Sequence, residues 1–337
     1  MKTVLVTGAS SFLGYHVVQQ LNGRGIRPRV LELAGARLDV LKRLDVEQCS
    51  GDLDDEPSVR AACAGVDTLM HLAFKVSVGG GGTVIEEMRR VNVEGTRLLL
   101  RTAAAEGVRR AVVAGSALAV AVSRLATPLA ESDASAENAF DIPYARIRRE
   151  AELAALAQST PAFEVVSVCP AFTFGPDDPT GAPANKLLQA IITRKLRFTL
   201  PVGFGCLDVR DFASGVLLAA ERGRAGERYL LSGENITATE LIERVAALAG
   251  VRPARFTLPK VLLDAAVGAL ELICKARRKP APITRDVLQI IGRYAWYDTS
   301  KARTQLGWTT RPLQETLADT IASLRESGGA STQRALE

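Results

Sequence analysis

Short apolar runs alternate with stretches whose apolar residues recur every three or four positions, from the start of the chain to about residue 170. The run Val4-Leu5-Val6 is short and β-branched, which predicts a buried strand. Leu13, Val17 and Leu21 then recur at i, i+4 and i+8, which predicts a helix packed on that strand. Further strands are predicted at 29–33, 46–49, 68–73, 111–114, 163–168 and 228–231, and helices at 84–106 and 144–158. The strand at 46–49 is expected to lead to a strand end at 51–53 that carries the carboxylate of Asp52. This alternation indicates an α/β fold, a parallel sheet with helices on both faces.

Two stretches depart from this alternation. Residues 76–82 contain four successive glycines, and we expect a loop over the site there. Beyond Pro170, closely spaced prolines and glycines separate short elements, which predicts a smaller second lobe. We therefore divide the chain into a first domain of residues 1–175 and 206–233 and a C-terminal lobe of residues 176–205 and 234–337.

The turn between the first strand and the first helix contains Gly8 and Gly14. A strand–turn–helix of this kind directs unpaired N–H groups and the positive end of the helix dipole to one point, where a pyrophosphate fits. Gly8 allows the tight turn, and Gly14 allows helix and strand to approach closely. Ser11 stands where a third glycine is common, and its hydroxyl could serve a phosphate oxygen. The alternative is a tight turn that binds nothing, and the position of the turn in the chain favours a dinucleotide.

The end of the second strand bears on the choice between NAD and NADP. An acidic residue there binds ribose hydroxyls, whereas an arginine receives a 2′-phosphate. Leu33 does neither, Glu32 lies one position early, and Arg37 follows in the loop. The sequence leaves NAD and NADP as alternatives.

Composition and charge describe an ordinary folded protein. The chain has 337 residues, of which 47% are apolar and 23% charged, a length that suits about two domains. Its net charge of +5 is scattered apart from one basic run at 275–279, which we interpret as a solvated helix end rather than a nucleic-acid or membrane contact.

The cysteines and histidines give no metal-ligand spacing. Five cysteines suggest small buried residues in a reducing compartment, and the two histidines lie far apart, so we expect no metal. The chain begins with a strand and has no run long enough to span a bilayer, so we expect a cytoplasmic protein with a small-molecule substrate and no membrane span. The sequence leaves open whether the chain forms a homodimer.

A second group of residues suggests proton transfer. Ser116 follows the strand at 111–114, at the carboxyl edge where open α/β sheets place ligands. Tyr144 and Arg148 are spaced i, i+4, which puts them on one helical face. A nearby positive charge stabilises a phenolate, and a serine hydroxyl can hold a substrate oxygen. The alternative is a core tyrosine beside an exposed arginine, and the upstream turn favours the catalytic interpretation.

The chain as a whole resembles the extended short-chain dehydrogenase/reductase family. It is most similar to dihydroflavonol-reductase-like and NAD-dependent epimerase/dehydratase members, including the hopanoid-associated sugar epimerase group. The segments that carry the resemblance cover nearly the whole chain: 6–14, 51–53, 71–73, 91–96, Ser116, Tyr144 with 151–152, Pro170 with 175–176, 208–211, 226–229, 298–303 and 306–308.

The resemblance implies a Rossmann-type doubly wound parallel sheet with a smaller C-terminal substrate lobe. It also implies that the tyrosine is the general acid/base, that the serine orients the reacting oxygen, and that a lysine four residues after the tyrosine binds the nicotinamide ribose. Arg148 replaces that lysine, Ser11 the middle glycine, and Cys206 a frequent asparagine. The cofactor site expected from the resemblance comprises Gly8, Ser10, Ser11, Phe12, Leu13, Gly14, Asp52, Leu53, Leu72, Ala73, Phe74, Tyr144, Arg148, Pro170 and Thr173.

These observations predict an NAD(P)-dependent reductase or dehydrogenase that interconverts a ketone and a secondary alcohol. Ser116, Tyr144 and Arg148 are its expected catalytic residues. The segment 196–201 is apolar and offers little to hold a diphosphate, which favours a small, largely apolar substrate. The alternatives are a sugar-nucleotide epimerase or dehydratase, and a non-redox or cofactor-sensing protein on the same fold.

Overall fold

The computed structural model describes residues 1–36, 38–76, 82–135, 138–254, 256–257, 260–277 and 287–334. Parts of three predictions lie outside them: Arg37, residues 77–81 of the glycine loop, and residues 278–279 of the basic run.

Seven strands form one parallel sheet in the order β3-β2-β1-β4-β5-β6-β9. Every neighbouring pair is parallel, as Val6 illustrates by lying between Val30 and Met70. The strands are β1 (Val4–Thr7), β2 (Arg29–Glu32), β3 (Glu47–Ser50), β4 (Thr68–His71), β5 (Arg110–Ala114), β6 (Glu164–Pro170) and β9 (Arg228–Leu231). The predicted α/β class is therefore confirmed.

A second, smaller sheet is built around β8 (Gly203–Asp208). β8 pairs in parallel with β7 (Phe172–Phe174) and β11 (Tyr294–Ala295), and in antiparallel with β10 (Asn235–Thr237). The division of the chain into a cofactor domain and a substrate lobe stays a prediction.

Helices cover both faces of the large sheet, because successive residues of β1 point to opposite sides. Val4 and Val6 pack with Val17 and Phe212 on one face, and Leu5 packs on the other. The helices are α1 (Phe12–Gly23), α2 (Glu56–Cys63), α3 (Gly82–Arg89), α4 (Thr96–Ala105), α5 (Ala117–Val120), α6 (Pro143–Leu156), α7 (Pro183–Ile192), α8 (Val209–Arg222), α9 (Ala238–Ala249), α10 (Lys260–Ala276), α11 (Ser300–Leu306) and α12 (Leu313–Arg334). Within the described ranges no helix combines the length and apolarity needed to cross a membrane.

The predicted helix over 84–106 differs from the structure at its centre. Residues Arg90–Gly95 form a π-helix between α3 and α4. Wider turns of this kind are common at functional sites because they redirect the side chains beside them.

Candidate active site

The turn before α1 has the geometry that the two glycines predict. Gly8 has a φ of +72°, in the left-handed region. A Cβ on Gly14 would lie 2.0 Å from the Gly8 carbonyl oxygen, so only glycine allows this contact. Ser11 is the N-cap of α1: its hydroxyl donates to the Gly8 carbonyl at 2.7 Å and accepts from the Gly14 N–H at 3.1 Å. The structure thus gives this hydroxyl partners other than the phosphate considered from the sequence.

Glu32 ends β2 and turns its buried carboxylate toward this turn. Its two oxygens accept hydrogen bonds from the Ser10 backbone N–H at 2.8 Å and the Ser10 hydroxyl at 2.9 Å. Burial raises the pKa of Glu32, while the hydrogen bonds from Ser10 and Ala9 oppose the shift. The acid therefore lies beside the glycine turn, and Leu33, the position considered from the sequence, is exposed.

The structure brings the three predicted catalytic residues together at the carboxyl edge of β5. Ser116 is buried at the N-cap position of the short helix α5, and its side chain makes no capping hydrogen bond. Tyr144 lies in the first turn of α6, and its hydroxyl donates to Ser116 Oγ at 3.4 Å. Arg148 lies one turn later on α6 and is buried beside them.

Arg148 is held by the end of β5 on one side and by an aromatic ring on the other. Its Nη2 donates to the Ala114 and Gly115 carbonyls at 2.7 and 2.6 Å, and its Cζ lies 3.5 Å from the centre of the Phe74 ring. Among the described residues, its buried Nε and Nη1 have no hydrogen-bond partner. Burial lowers the pKa of Arg148, and the neighbouring Tyr144 opposes that shift, yet an arginine stays charged at neutral pH.

A buried carboxylate offsets this positive charge. Glu152, one turn after Arg148, accepts from Ser167 Oγ at 2.7 Å and from Cys169 Sγ at 3.0 Å, and it pairs with Arg228 at 3.3 Å. Burial, followed by the charge of Glu152, raises the pKa of the Cys169 thiol well above its usual value. This cysteine is therefore an inert structural thiol rather than a nucleophile.

His71 links β1, β4 and α4 through a closed set of hydrogen bonds. Its Nδ1 lies 2.7 Å from Thr7 Oγ1, and its Nε2 lies 2.8 Å from Thr96 Oγ1. Because Thr96 donates its own hydrogen to the Asn92 carbonyl, Nε2 carries the proton and Nδ1 accepts. Burial, followed by the charge of Arg148, lowers the pKa of His71 to about 3. The imidazole is neutral at physiological pH.

Asn92, in the π-helix, is a site residue that sequence reasoning did not single out. Its amide binds both backbone groups of Lys75, each at 2.8 Å, and so fixes the segment that carries Phe74. A signal was present: Asn92 and Thr96 follow Met88 at i+4 and i+8, so polar residues occupy a buried helical face. Such a pattern indicates polar side chains that hydrogen-bond to partners inside the fold.

The other expected cofactor residues surround the same edge of the sheet. Asp52 is exposed two residues beyond β3, so the predicted strand ends earlier than expected. Leu53 and Leu72 are buried, and Ala73 directly follows Leu72 after β4. Pro170 ends β6, and Thr173 lies in β7. In the described part of the chain, no three His, Cys, Asp or Glu side chains group as a metal site requires.

The sequence profile of the NAD dependent epimerase/dehydratase family matches residues 4–232. The chain belongs to this family. The matched range contains the glycine turn, Glu32, Ser116, Tyr144 and Arg148. It confirms the resemblance and the nicotinamide dinucleotide cofactor predicted from the sequence, for which NAD and NADP were left as alternatives.

Three curated relatives match nearly the full chain. Sterol demethylase protein B of Methylococcus capsulatus is 30% identical over 97% of this chain and 99% of that protein. A Synechocystis protein provisionally named dihydroflavonol 4-reductase is 29% identical over 97% of this chain and 96% of its own. The 4-hydroxy-2-methyl-3-oxo-4-farnesyl-3,4-dihydroquinoline-1-oxide ketoreductase of Stigmatella aurantiaca is 28% identical over 98% of this chain and 99% of that protein.

Solved structures agree on the fold. The crystal structure of gox2253 has a TM-score of 0.84 at 29% identity and covers 97% of this chain and 99% of its own. A structure of MoeE5 with UDP-glucose and NAD has a TM-score of 0.75 at 22% identity, covering 96% of this chain and 99% of its own. The similarity to MoeE5 shows the fold alone.

Two observations test whether this family's dinucleotide fits the residues present. At the start of α1 Ser11 binds the Gly14 N–H, and the N–H groups of Phe12 and Leu13 have no helical carbonyl to bind. The buried Nε and Nη1 of Arg148 lack partners among the described residues, so they can donate to hydroxyl oxygens. The residues therefore fit a dinucleotide between the α1 turn and the Tyr144 site.

Proposed function

We propose that this protein is an NAD(H)-dependent oxidoreductase that interconverts a ketone and a secondary alcohol on an apolar substrate. The observation that carries the proposal is the group of Ser116, Tyr144 and the buried Arg148 at the carboxyl edge of β5. A phenol, a hydroxyl and a fixed cation are the groups that move a proton to or from a substrate oxygen.

Each of these residues has a role that follows from its position. Tyr144 holds the proton on its phenol oxygen and gives it to the carbonyl oxygen during reduction. Ser116 donates a hydrogen bond to that same oxygen and orients it. Arg148, anchored to two backbone carbonyls, stabilises the phenolate that remains. The bound nicotinamide supplies or accepts the hydride.

Glu32 favours NAD over NADP in this proposal. Its carboxylate can accept hydrogen bonds from ribose hydroxyls in addition to those from Ser10, because a carboxylate offers about four acceptor positions. The same negative charge would repel a 2′-phosphate.

An apolar substrate is supported by the segment 196–201 and by the relatives. Phe198 and Leu200 pack beside α10 in an apolar cluster, in the part of the chain proposed as the substrate lobe, residues 176–205 and 234–337. The names of two relatives refer to a sterol and to a farnesyl-bearing ketone, and both kinds of compound are largely apolar.

The test measures NADH and NADPH affinity by titration, and then NADH oxidation with a panel of apolar ketones such as 3-ketosteroids. We expect tighter binding of NADH. Tyr144→Phe should lower turnover by roughly 10²–10⁴-fold, since it removes the transferable proton. Arg148→Ala should lower turnover by about tenfold or more, whereas Arg148→Lys should keep it, because both cations stabilise a phenolate.

Arg146→Ala, on an exposed arginine of the same helix, is the matched control and should turn over like the wild type. Unchanged turnover in Tyr144→Phe would contradict the proposed chemistry. Epimerisation of UDP-glucose without net NADH consumption would establish the epimerase alternative. Tight NADH binding without turnover of any ketone or sugar nucleotide would indicate a sensor.

A further inference from the structure

Among the α10 side chains that the structure describes, Leu263 and Val267 mark a buried face. Leu263 and Val267, one turn apart, pack with Leu288 and with the apolar side chains of Phe198 and Leu200. This contact joins α10 to the rest of the chain and fixes which way the helix faces.

Another face of α10 is apolar and exposed. Ala265, Ala269, Leu272 and Ile273 recur at i, i+4, i+7 and i+8, and all four are exposed. Leu272 is 70% exposed and Ile273 is 50% exposed. A helix on the surface of a soluble protein places polar residues on its outward face, so this face requires a partner.

The sequence of α10 and of the residues directly after it carries a net positive charge. Residues 260–279 contain five basic and two acidic residues, a net charge of +3. Four of the basic residues fall within the last five positions, and Arg277 is exposed just beyond the end of α10.

In place of the solvated helix end considered from the sequence, we propose that α10 docks on the surface of an anionic lipid bilayer, with Leu272 and Ile273 in the acyl boundary and Arg277 at the headgroups. Interfacial helices combine apolar residues on one side with lysines and arginines that contact anionic lipid. A second copy of this chain would bring a like-charged segment to the same face, whereas anionic lipid complements both features. The helix lies on the bilayer and does not cross it.

The packed face of α10, not the proposed docking face, contacts the short helix that leads toward the candidate active site. Ile290 packs in the cluster that contains Tyr144, and Leu288, in the same short helix Val287–Ile290, packs against α10. The proposal itself concerns binding to lipid and stands independently of the reaction proposed above.

The test is co-sedimentation of the full chain with two kinds of vesicle, phosphatidylcholine alone and phosphatidylcholine with phosphatidylglycerol. We expect binding to the anionic vesicles that weakens as salt rises, and much less binding to the neutral ones. The double variant Leu272→Glu/Ile273→Glu should lose binding by roughly tenfold or more, and Arg277→Glu should weaken it by about fivefold.

The matched control is Leu125→Glu/Leu153→Glu, which adds the same charge at leucines that are 70% and 51% exposed elsewhere on the surface. It should bind like the wild type. Equal losses in both double variants, or no binding by the wild type, would overturn the proposal. Light scattering provides a second readout: a dimer that Leu272→Glu/Ile273→Glu separates would assign the face to a second copy instead.

Discussion

His71 is a buried base that the fold keeps neutral. Both ring nitrogens are bonded, to Thr7 on β1 and to Thr96 on α4. The Ala73 N–H donates to the same Thr7 hydroxyl at 3.3 Å, so the network reaches the predicted cofactor site. A protonated ring would donate from Nδ1, take away the acceptor that the Thr7 hydroxyl uses, and place a second positive charge near Arg148. The sequence predicted the strand that carries His71 but not this network, because the partners lie 64 and 25 residues away in the chain.

We predict that His71 makes the protein unstable in acid. Its pKa is about 3 when folded and about 6.5 when unfolded, so below pH 6.5 the unfolded chain binds more protons. The free energy of unfolding should fall by about 2 kcal/mol between pH 7 and pH 5 from this group alone. Urea denaturation of wild type and His71→Gln at several pH values measures it. The variant should show the flatter pH dependence, whatever its absolute stability, and equal slopes would contradict the assignment.

The α1 helix and the π-helix differ in how far the sequence could predict them. The strand–turn–helix at 4–21 could be predicted because the apolar run, the helical period and the two glycines agree with one another. The π-helix could not be predicted in this way. It widens the turn between α3 and α4, but the apolar spacing within each of these helices stays almost unchanged. Its consequence, the amide of Asn92 on Lys75, depends on a contact that only the folded chain creates.

Gly14→Ala tests the contact between α1 and the turn. The added Cβ would lie 2.0 Å from a backbone oxygen, so α1 must move away from Gly8. We expect a loss of roughly 3 kcal/mol in the free energy of unfolding and weaker NADH binding. Gly23→Ala, at the other end of α1, is the control because its Cβ meets no atom within 4 Å, and it should be neutral or stabilising by up to about 1 kcal/mol. Denaturation and NADH titration measure both effects. Equal unfolding free energies and equal NADH affinities in the two variants would contradict the tight-contact explanation.

Across the whole molecule, the local pattern of apolar residues predicted the large sheet. The small sheet could not be predicted in this way, because it depends on pairing between distant segments of the chain. The strands of the large sheet are apolar runs separated by helices, and the parallel class follows from that alternation. The small sheet joins Gly203 to both Thr237 and Tyr294 through strands of two to six residues. Such short strands carry little pattern, and their partners lie far apart in the chain. The order of the seven strands likewise needed the structure.

An ion-pair network around the buried Asp208 fastens the C-terminal part of the chain to the end of β8. Asp208, between β8 and α8, pairs with Arg210 and with Arg311, each at 2.8 Å. Arg311 also pairs with Asp211 at 3.1 Å, and Arg210 pairs with Asp319 on α12 at 2.7 Å. Burial alone would raise the pKa of Asp208, but the hydrogen bonds from Arg210 and the charge of Arg311 hold it below the usual value.

We predict that Asp208→Asn lowers the free energy of unfolding by roughly 3 kcal/mol at pH 7, because it removes the buried carboxylate that Arg210 and Arg311 share, while each arginine keeps its other partner. Asparagine can still cap α8, so the loss reports the charge and not the cap. Asp319→Asn removes the exposed end of the same network and should cost at most about 1 kcal/mol. Since the folded pKa of Asp208 is lowered, the difference between wild type and Asp208→Asn should be full above about pH 4 and shrink as the pH falls further. Denaturation curves for the three proteins at neutral and acid pH measure these differences. A similar cost for both variants, or a difference that persists in acid, would mean that the network does not hold the C-terminal part of the chain through this charge.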